Sequence, residues 1–132
     1  MKPFVLFAAA GAVGFVVDAG VLVALAAFAG PYFGRIVSFG AAVLTTWLIN
    51  RRLAFRDAAS GLPKRIEFLR YFVASAGGGA VNLATYGLLV HVLELGRIWL
   101  PAAVAAGSLA GMLVNFSLSK RFVFIARNPQ NN

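Results

Sequence analysis

The sequence contains no cysteine, which excludes a disulfide framework, thiolate metal sites and a cysteine nucleophile. Its single histidine, His91, cannot supply a multi-histidine metal centre. Acids are scarce too, four against twelve lysines and arginines. No nucleophile–base pair and no metal-ligand cluster emerges, so neither an enzyme nor a cofactor is expected. Three consecutive glycines, Gly77-Gly78-Gly79, are followed by no phosphate-loop lysine, so they do not read as a nucleotide site.

What the chain has in abundance is apolar surface. Hydrophobic residues make up 61% of its 132 positions, and the mean hydropathy is +0.84. A soluble domain this short could not hide so much, because small folds leave much of their surface exposed. Lipid as solvent removes the problem. The opening Met1-Lys2-Pro3 resembles a signal peptide, but the apolar run from Phe4 to Ala29 is too long for one and contains Asp18. It reads as a retained first helix.

A bilayer core about 30 Å thick needs roughly 20 apolar residues in helical form. Four segments qualify, at about 4–29, 33–50, 68–92 and 99–119. Gly30-Pro31 breaks the first pair, while Gly96 and Pro101 bracket the second turn. Between the pairs runs a polar stretch, Arg51 to Arg65. The prediction is an all-α membrane protein of four transmembrane helices arranged as two helical hairpins. It forms a single transmembrane domain over residues 1–132, with repeat 1 at about 4–55, a loop at about 56–66, repeat 2 at about 67–124 and a polar tail at 125–132.

The charge of +8 does not point to nucleic acid, because the basic residues sit at the ends of apolar spans. Ten of the twelve fall on one side: Lys2, Arg51, Arg52, Arg56, Lys64, Arg65, Arg70, Lys120, Arg121 and Arg127. Arg35 and Arg97 belong to the other. The positive-inside rule then places both termini and the middle loop in the cytoplasm, as expected for a multi-pass protein of the bacterial inner membrane.

The halves also resemble each other. Asp18 over Asn82 puts Phe4 over Phe68, Phe7 over Tyr71, Gly14 over Gly78 and Leu25 over Leu89. After a small shift, Asn50-Arg51-Arg52-Leu53-Ala54-Phe55 lies over Ser119-Lys120-Arg121-Phe122-Val123-Phe124. Two spans per half make these parallel repeats, related by an axis along the membrane normal, and their interface is the expected place for a site.

Asp18 is the sharpest single feature, an acid close to the middle of the first span. A central Asp costs about 2.5–3.5 kcal/mol even on the permissive insertion scale, so it should face the bundle and have a partner. Arg35 could reach it, although an isolated arginine near a helix end is expected to snorkel outward to the headgroups. Asn82, Asn115, Thr45 and Thr46 fit interhelical hydrogen bonding, and Gly107-xxx-Gly111 and Ser75-xxx-Gly79 are small-residue ridges for close packing. His91 and Glu94 read as an exposed pair. Arg51-Arg52 and Lys120-Arg121 are explained in part by topology. Their equivalence in the repeat also lets them flank a central interface and hold one phosphate headgroup, which arginine binds with a planar fork.

These motifs resemble the GtrA-like family of small membrane proteins from Phe4 to Phe124. The resemblance rests on Gly11…Gly14…Asp18, on NRRLAF from Asn50 to Phe55, on FLRYFVAS…Gly78…Asn82, and on NFSLSKRFVF from Asn115 to Phe124. Where the family often repeats Asn-Phe, this chain has Thr46-Trp47, and Leu53 replaces an aromatic, so its two halves differ there. The resemblance implies translocation of a polyprenyl-phosphate-linked sugar to the outer leaflet for cell-surface polysaccharide, next to a cytoplasmic-face glycosyltransferase. Arg51, Arg52, Lys120 and Arg121 would then capture the lipid phosphate. Asp18, Asn82, Asn115 and Thr46 would line the sugar's route, with Asp18 coupling movement to protons. Membrane lipids and a second copy are the other expected partners, since four helices enclose little cavity. A proton-coupled exporter of the small multidrug resistance type and a transferase scaffold are the alternatives.

Overall fold

A computed structural model describes residues 1–58, 60–94 and 97–125. It contains four long helices: α1 Lys2–Ala29, α2 Pro31–Arg52, α3 Lys64–Val92 and α4 Leu100–Leu118. A 3-10 turn, Arg97–Trp99, precedes α4, and a π turn, Ser119–Val123, continues it. All four are long and apolar enough to cross a membrane, and no strand occurs among the described residues. Gly96, Arg127 and the polar tail beyond Ile125 lie outside them.

α1, α2 and α3 cover their predicted spans and run past them into polar sequence, whereas α4 stops one residue short at each end, where the 3-10 and π turns take over. Hydropathy detects the apolar run, whereas the hydrogen-bond ladder continues through the interface until something stops it. Gly30 stops α1: its φ of 81° is a left-handed value that glycine adopts without steric cost. Pro31 then opens α2, where a missing N–H costs nothing. α3 begins at Lys64, after Pro63, a full turn before the apolar run, so Glu67 is helical.

The chain groups into two compact units. The first is Met1–Phe68 with the chain from Phe124 onward. The second is Leu69–Val123. In the first, α1 and α2 form a hairpin closed by aromatic rings. Phe55 meets Phe7 edge-on at 6.1 Å and stacks on Phe124 at 4.6 Å. Ala54 and Phe55 follow α2 next to the polar loop, yet both are buried. Gly14 abuts the Thr46 methyl group and the Ala42 carbonyl, so α1 and α2 approach closely.

The second unit is held by glycines. A Cβ on Gly78 would lie 2.6 Å from the Gly111 carbonyl oxygen and 2.7 Å from Asn115 Cβ. One on Gly107 would lie 2.5 Å from Asn82 Oδ1. Only hydrogen fits at such a crossing.

The outward faces are apolar nearly throughout: Phe15, Val16, Val23, Phe28, Ile36, Val73 and Leu83 are all exposed. In water such continuous apolar surface would drive association. In hydrocarbon it is the expected exterior.

Candidate functional site

Asp18 sits eleven residues before the end of α1, about 16 Å along the helix axis from its outer turn. Its Oδ2 accepts from Arg35 Nη1 at 2.7 Å. The arginine comes from the first turns of α2, which runs back alongside α1. The expectation that Arg35 snorkels outward is therefore corrected: it turns inward to the carboxylate. A mid-span carboxylate gains more from a fixed cation than an arginine gains from headgroups it can reach by another rotamer. Asp18 is only 18% exposed against 58% for Arg35. Its second oxygen, Oδ1, is buried without a hydrogen-bond partner. An acceptor left unmatched in apolar surroundings is costly. Ser38, fully buried one turn after Arg35, donates to the Arg35 carbonyl at 3.1 Å.

Sequence reasoning misses Glu67. Its side chain is 1% exposed and gathers three donors: Trp47 Nε1 at 3.0 Å, Arg51 Nε at 2.8 Å and the Ser60 hydroxyl at 2.5 Å. The Arg51 guanidinium also lies 6.0 Å from the centre of the Trp47 ring. A buried carboxylate is tolerable when charge-assisted hydrogen bonds surround it. Here they tie the end of α2, the loop and the first turn of α3 together. Arg51 is thus committed through Nε, while Arg52 beside it is exposed. The available signal is scarcity: Glu67 is one of four acids, placed just after a basic stretch and just before an apolar run.

In the second unit, Asn82 packs over Gly107 and Gly111, and Asn115 packs against Gly78. Asn115 Oδ1 also accepts from Ser119 Oγ at 3.2 Å. Both amides therefore lie in the α3–α4 crossing. Thr46 bonds its own helix instead, donating to the Val43 carbonyl at 3.0 Å, and Thr45 does the same to Ala41 at 2.8 Å. Lys120 and Arg121 are exposed on the π turn. Arg70 Nη1 donates to the Phe122 carbonyl at 3.2 Å. His91 and Glu94 are exposed, with Glu94 at a φ of 46°. No group of three or more His, Asp or Glu residues able to hold a metal occurs among the described residues.

Within the first unit the structure thus joins Asp18 to Arg35 and Arg51 to Glu67. Within the second it joins Asn82 and Asn115 to the facing glycines. No curated protein matches the chain. The family described as GtrA/DPMS, transmembrane domain, matches residues 6–124, which takes in every one of these side chains and nearly all of the four membrane-spanning helices. The chain is accordingly a multi-pass membrane protein that belongs to the GtrA/DPMS transmembrane-domain family, a family tied to the synthesis and translocation of polyprenyl-phosphate sugars.

Proposed function

We propose that this protein moves a polyprenyl-phosphate-linked monosaccharide from the cytoplasmic to the outer leaflet of a bacterial inner membrane, for addition to a cell-surface polysaccharide. The observation that carries this reading is the family match over residues 6–124. The side chains supply a physical route. Arg52 in the first unit, and Lys120 and Arg121 in the second, each offer an exposed cation to a lipid phosphate. Arg51 contributes its remaining N–H groups while Glu67 fixes its fork. Asp18, with one oxygen held by Arg35 and one unmatched, presents an acceptor to sugar hydroxyls at mid-depth and a place for a proton. Asn82, Asn115 and Thr46 support this route through the packing around them.

With the basic ends in the cytoplasm, substrate arrives from a transferase working on that face, and the protein performs no bond chemistry of its own. A second copy would enlarge the lipid-facing grooves. The direct test is translocation of a short-chain polyprenyl-phosphate sugar in proteoliposomes, read by accessibility of the sugar to an added enzyme. Wild-type protein should accelerate transfer, and Asp18→Ala or Arg52→Ala should reduce it at least about tenfold, as loss of a charged hydrogen-bonding group implies. Undiminished transfer in both variants would sink the assignment. Co-purification with a glycosyltransferase, without transfer by the protein alone, would replace it with a scaffold.

A further inference from the structure

The basic end of the second unit carries a groove that neither topology nor helix packing explains. Leu69, Arg70, Val73, Ala74, Leu118 and Phe122 line it, and its volume is about 430 Å³. That is within the range of small-molecule sites, which begin near about 300 Å³, and far above what a water or an ion fills. Leu69 and Val73 lie one turn apart on α3, while Leu118 and Phe122 lie one turn apart where α4 passes into the π turn. Two ridges of branched and aromatic side chains therefore border a floor made by buried Ala74. A trough of this form accepts one hydrocarbon chain.

Charge complementarity identifies its head. Arg70 is exposed within the groove, and its Nη1 is fastened to the Phe122 carbonyl. The last carbonyls of a helix lack intrahelical partners, so this one is available to hold the guanidinium. The contact orients the fork and leaves its other N–H groups free. Arg70 makes no ion pair among the described residues. Lys120 and Arg121 follow Leu118 within the same turn, and the only acid from Leu69 to Val123 is Glu94, at the far end of α3. A guanidinium in the lining of an apolar trough, in a stretch of chain where the nearby Lys120 and Arg121 are basic and exposed, calls for an anion on a single chain. A π turn at the rim is also a feature that concentrates at functional sites.

Resting on the translocation reading, we infer that this groove seats the first isoprene units of a polyprenyl phosphate, with Arg70 gripping the phosphate. Arg70 is thereby a lipid-binding residue in its own right, and α3–α4 holds the carrier lipid by the segment nearest its head. A diacyl phospholipid, with two chains, fits this trough poorly.

The test uses the full chain in nanodiscs of neutral phosphatidylcholine, with native mass spectrometry reading bound lipid. The probes are polyprenyl monophosphate, the uncharged polyprenol of equal length, and diacyl phosphatidic acid. Polyprenyl phosphate should bind at least about tenfold more tightly than either. Arg70→Ala and Val73→Trp, the second filling the trough without touching charge, should each weaken it by about that factor. Arg70→Lys should recover only part, having lost the fork. Leu83→Trp, also on an exposed position of α3, should bind as wild type and controls for the added indole. Wild type that binds while Arg70→Ala and Val73→Trp bind equally well would remove the groove and leave translocation standing. Equal binding of phosphatidic acid would overturn the isoprenoid assignment. Wild type that neither binds nor transfers polyprenyl phosphate would overturn both readings together.

Discussion

The two hairpins solve the same packing problem and differ in where they put charge. In α1–α2, Gly14 meets Thr46 and the Ala42 carbonyl; in α3–α4, Gly78 meets Asn115 and the Gly111 carbonyl. Each crossing is thus made by a glycine against a polar side chain and a backbone oxygen. Around that contact the hairpins diverge. The first holds an ion pair inside a span, Asp18 with Arg35, and a buried acid, Glu67, at its basic end. The second holds neutral amides over glycines, and its basic residues Arg70, Lys120 and Arg121 have no acid beside them. The first hairpin pairs each of these two acids with an arginine, Asp18 with Arg35 and Glu67 with Arg51, while Arg52 stays exposed. The second leaves its cations open to something from outside. One packing scheme therefore supports two electrostatic roles, and each role can be tested against the other.

The largest effect is expected at Glu67. Removing one member of a buried, hydrogen-bonded pair costs about 3–5 kcal/mol when the survivor stays buried. Arg51 is roughly a third exposed, so Glu67→Ala should cost about 3 kcal/mol, near the lower end of that range. Unfolding in mixed micelles with rising SDS measures it. The double variant Arg51→Met/Glu67→Met should regain much of the loss, because no orphan charge remains. A Glu67→Ala protein as stable as wild type would mean that the first hairpin's matching is incidental.

Next comes the crossing in the second hairpin. Gly111→Leu must displace Gly78 and Asn82, and overpacking of this kind costs about 1–3 kcal/mol. At Gly11 a Cβ would meet nothing within 4 Å, so Gly11→Leu should leave stability unchanged. The same unfolding measurement, made on both, separates glycines that permit contact from glycines that merely occur in a span. Equal losses at the two positions would show that helix propensity, and not contact, sets the cost.

The four helices were legible because hydropathy and length alone impose them: a run such as Phe4 to Ala29 has one stable form in lipid. The break at Gly30 was legible for a conformational reason, and α1 does end there. The importance of Asp18 followed from its cost, but its partner did not. Whether Arg35 turns toward lipid headgroups or toward a carboxylate depends on how far α2 has advanced beside α1, which no local pattern records. Glu67 was illegible for the opposite reason. It lies in a polar stretch where an acid is cheap, and only the return of Trp47, Arg51 and Ser60 around it makes it buried. The groove on α3–α4 combines residues about fifty positions apart in sequence, Arg70 with Phe122, and so appears only once the helices are packed.

The smallest expected effect on stability, and the sharpest on the comparison, comes from making the first hairpin resemble the second. Asp18→Asn gives α1 the amide that stands at Asn82 in α3. It removes the charge that holds Arg35, yet Arg35 is more than half exposed and can turn to headgroups. The loss should therefore be about 1 kcal/mol or less, because the neutral amide needs no cation and the freed arginine regains headgroup partners. Arg35→Gln should cost more, because it strands a carboxylate that is 18% exposed and already has one unmatched oxygen. The double variant Asp18→Asn/Arg35→Gln should return close to the stability of Asp18→Asn. That ordering assigns the need for a partner to the acid. If Asp18→Asn proves the more damaging of the two single variants, the arginine is the group that needs its partner, and Asp18 is there to hold Arg35 in place.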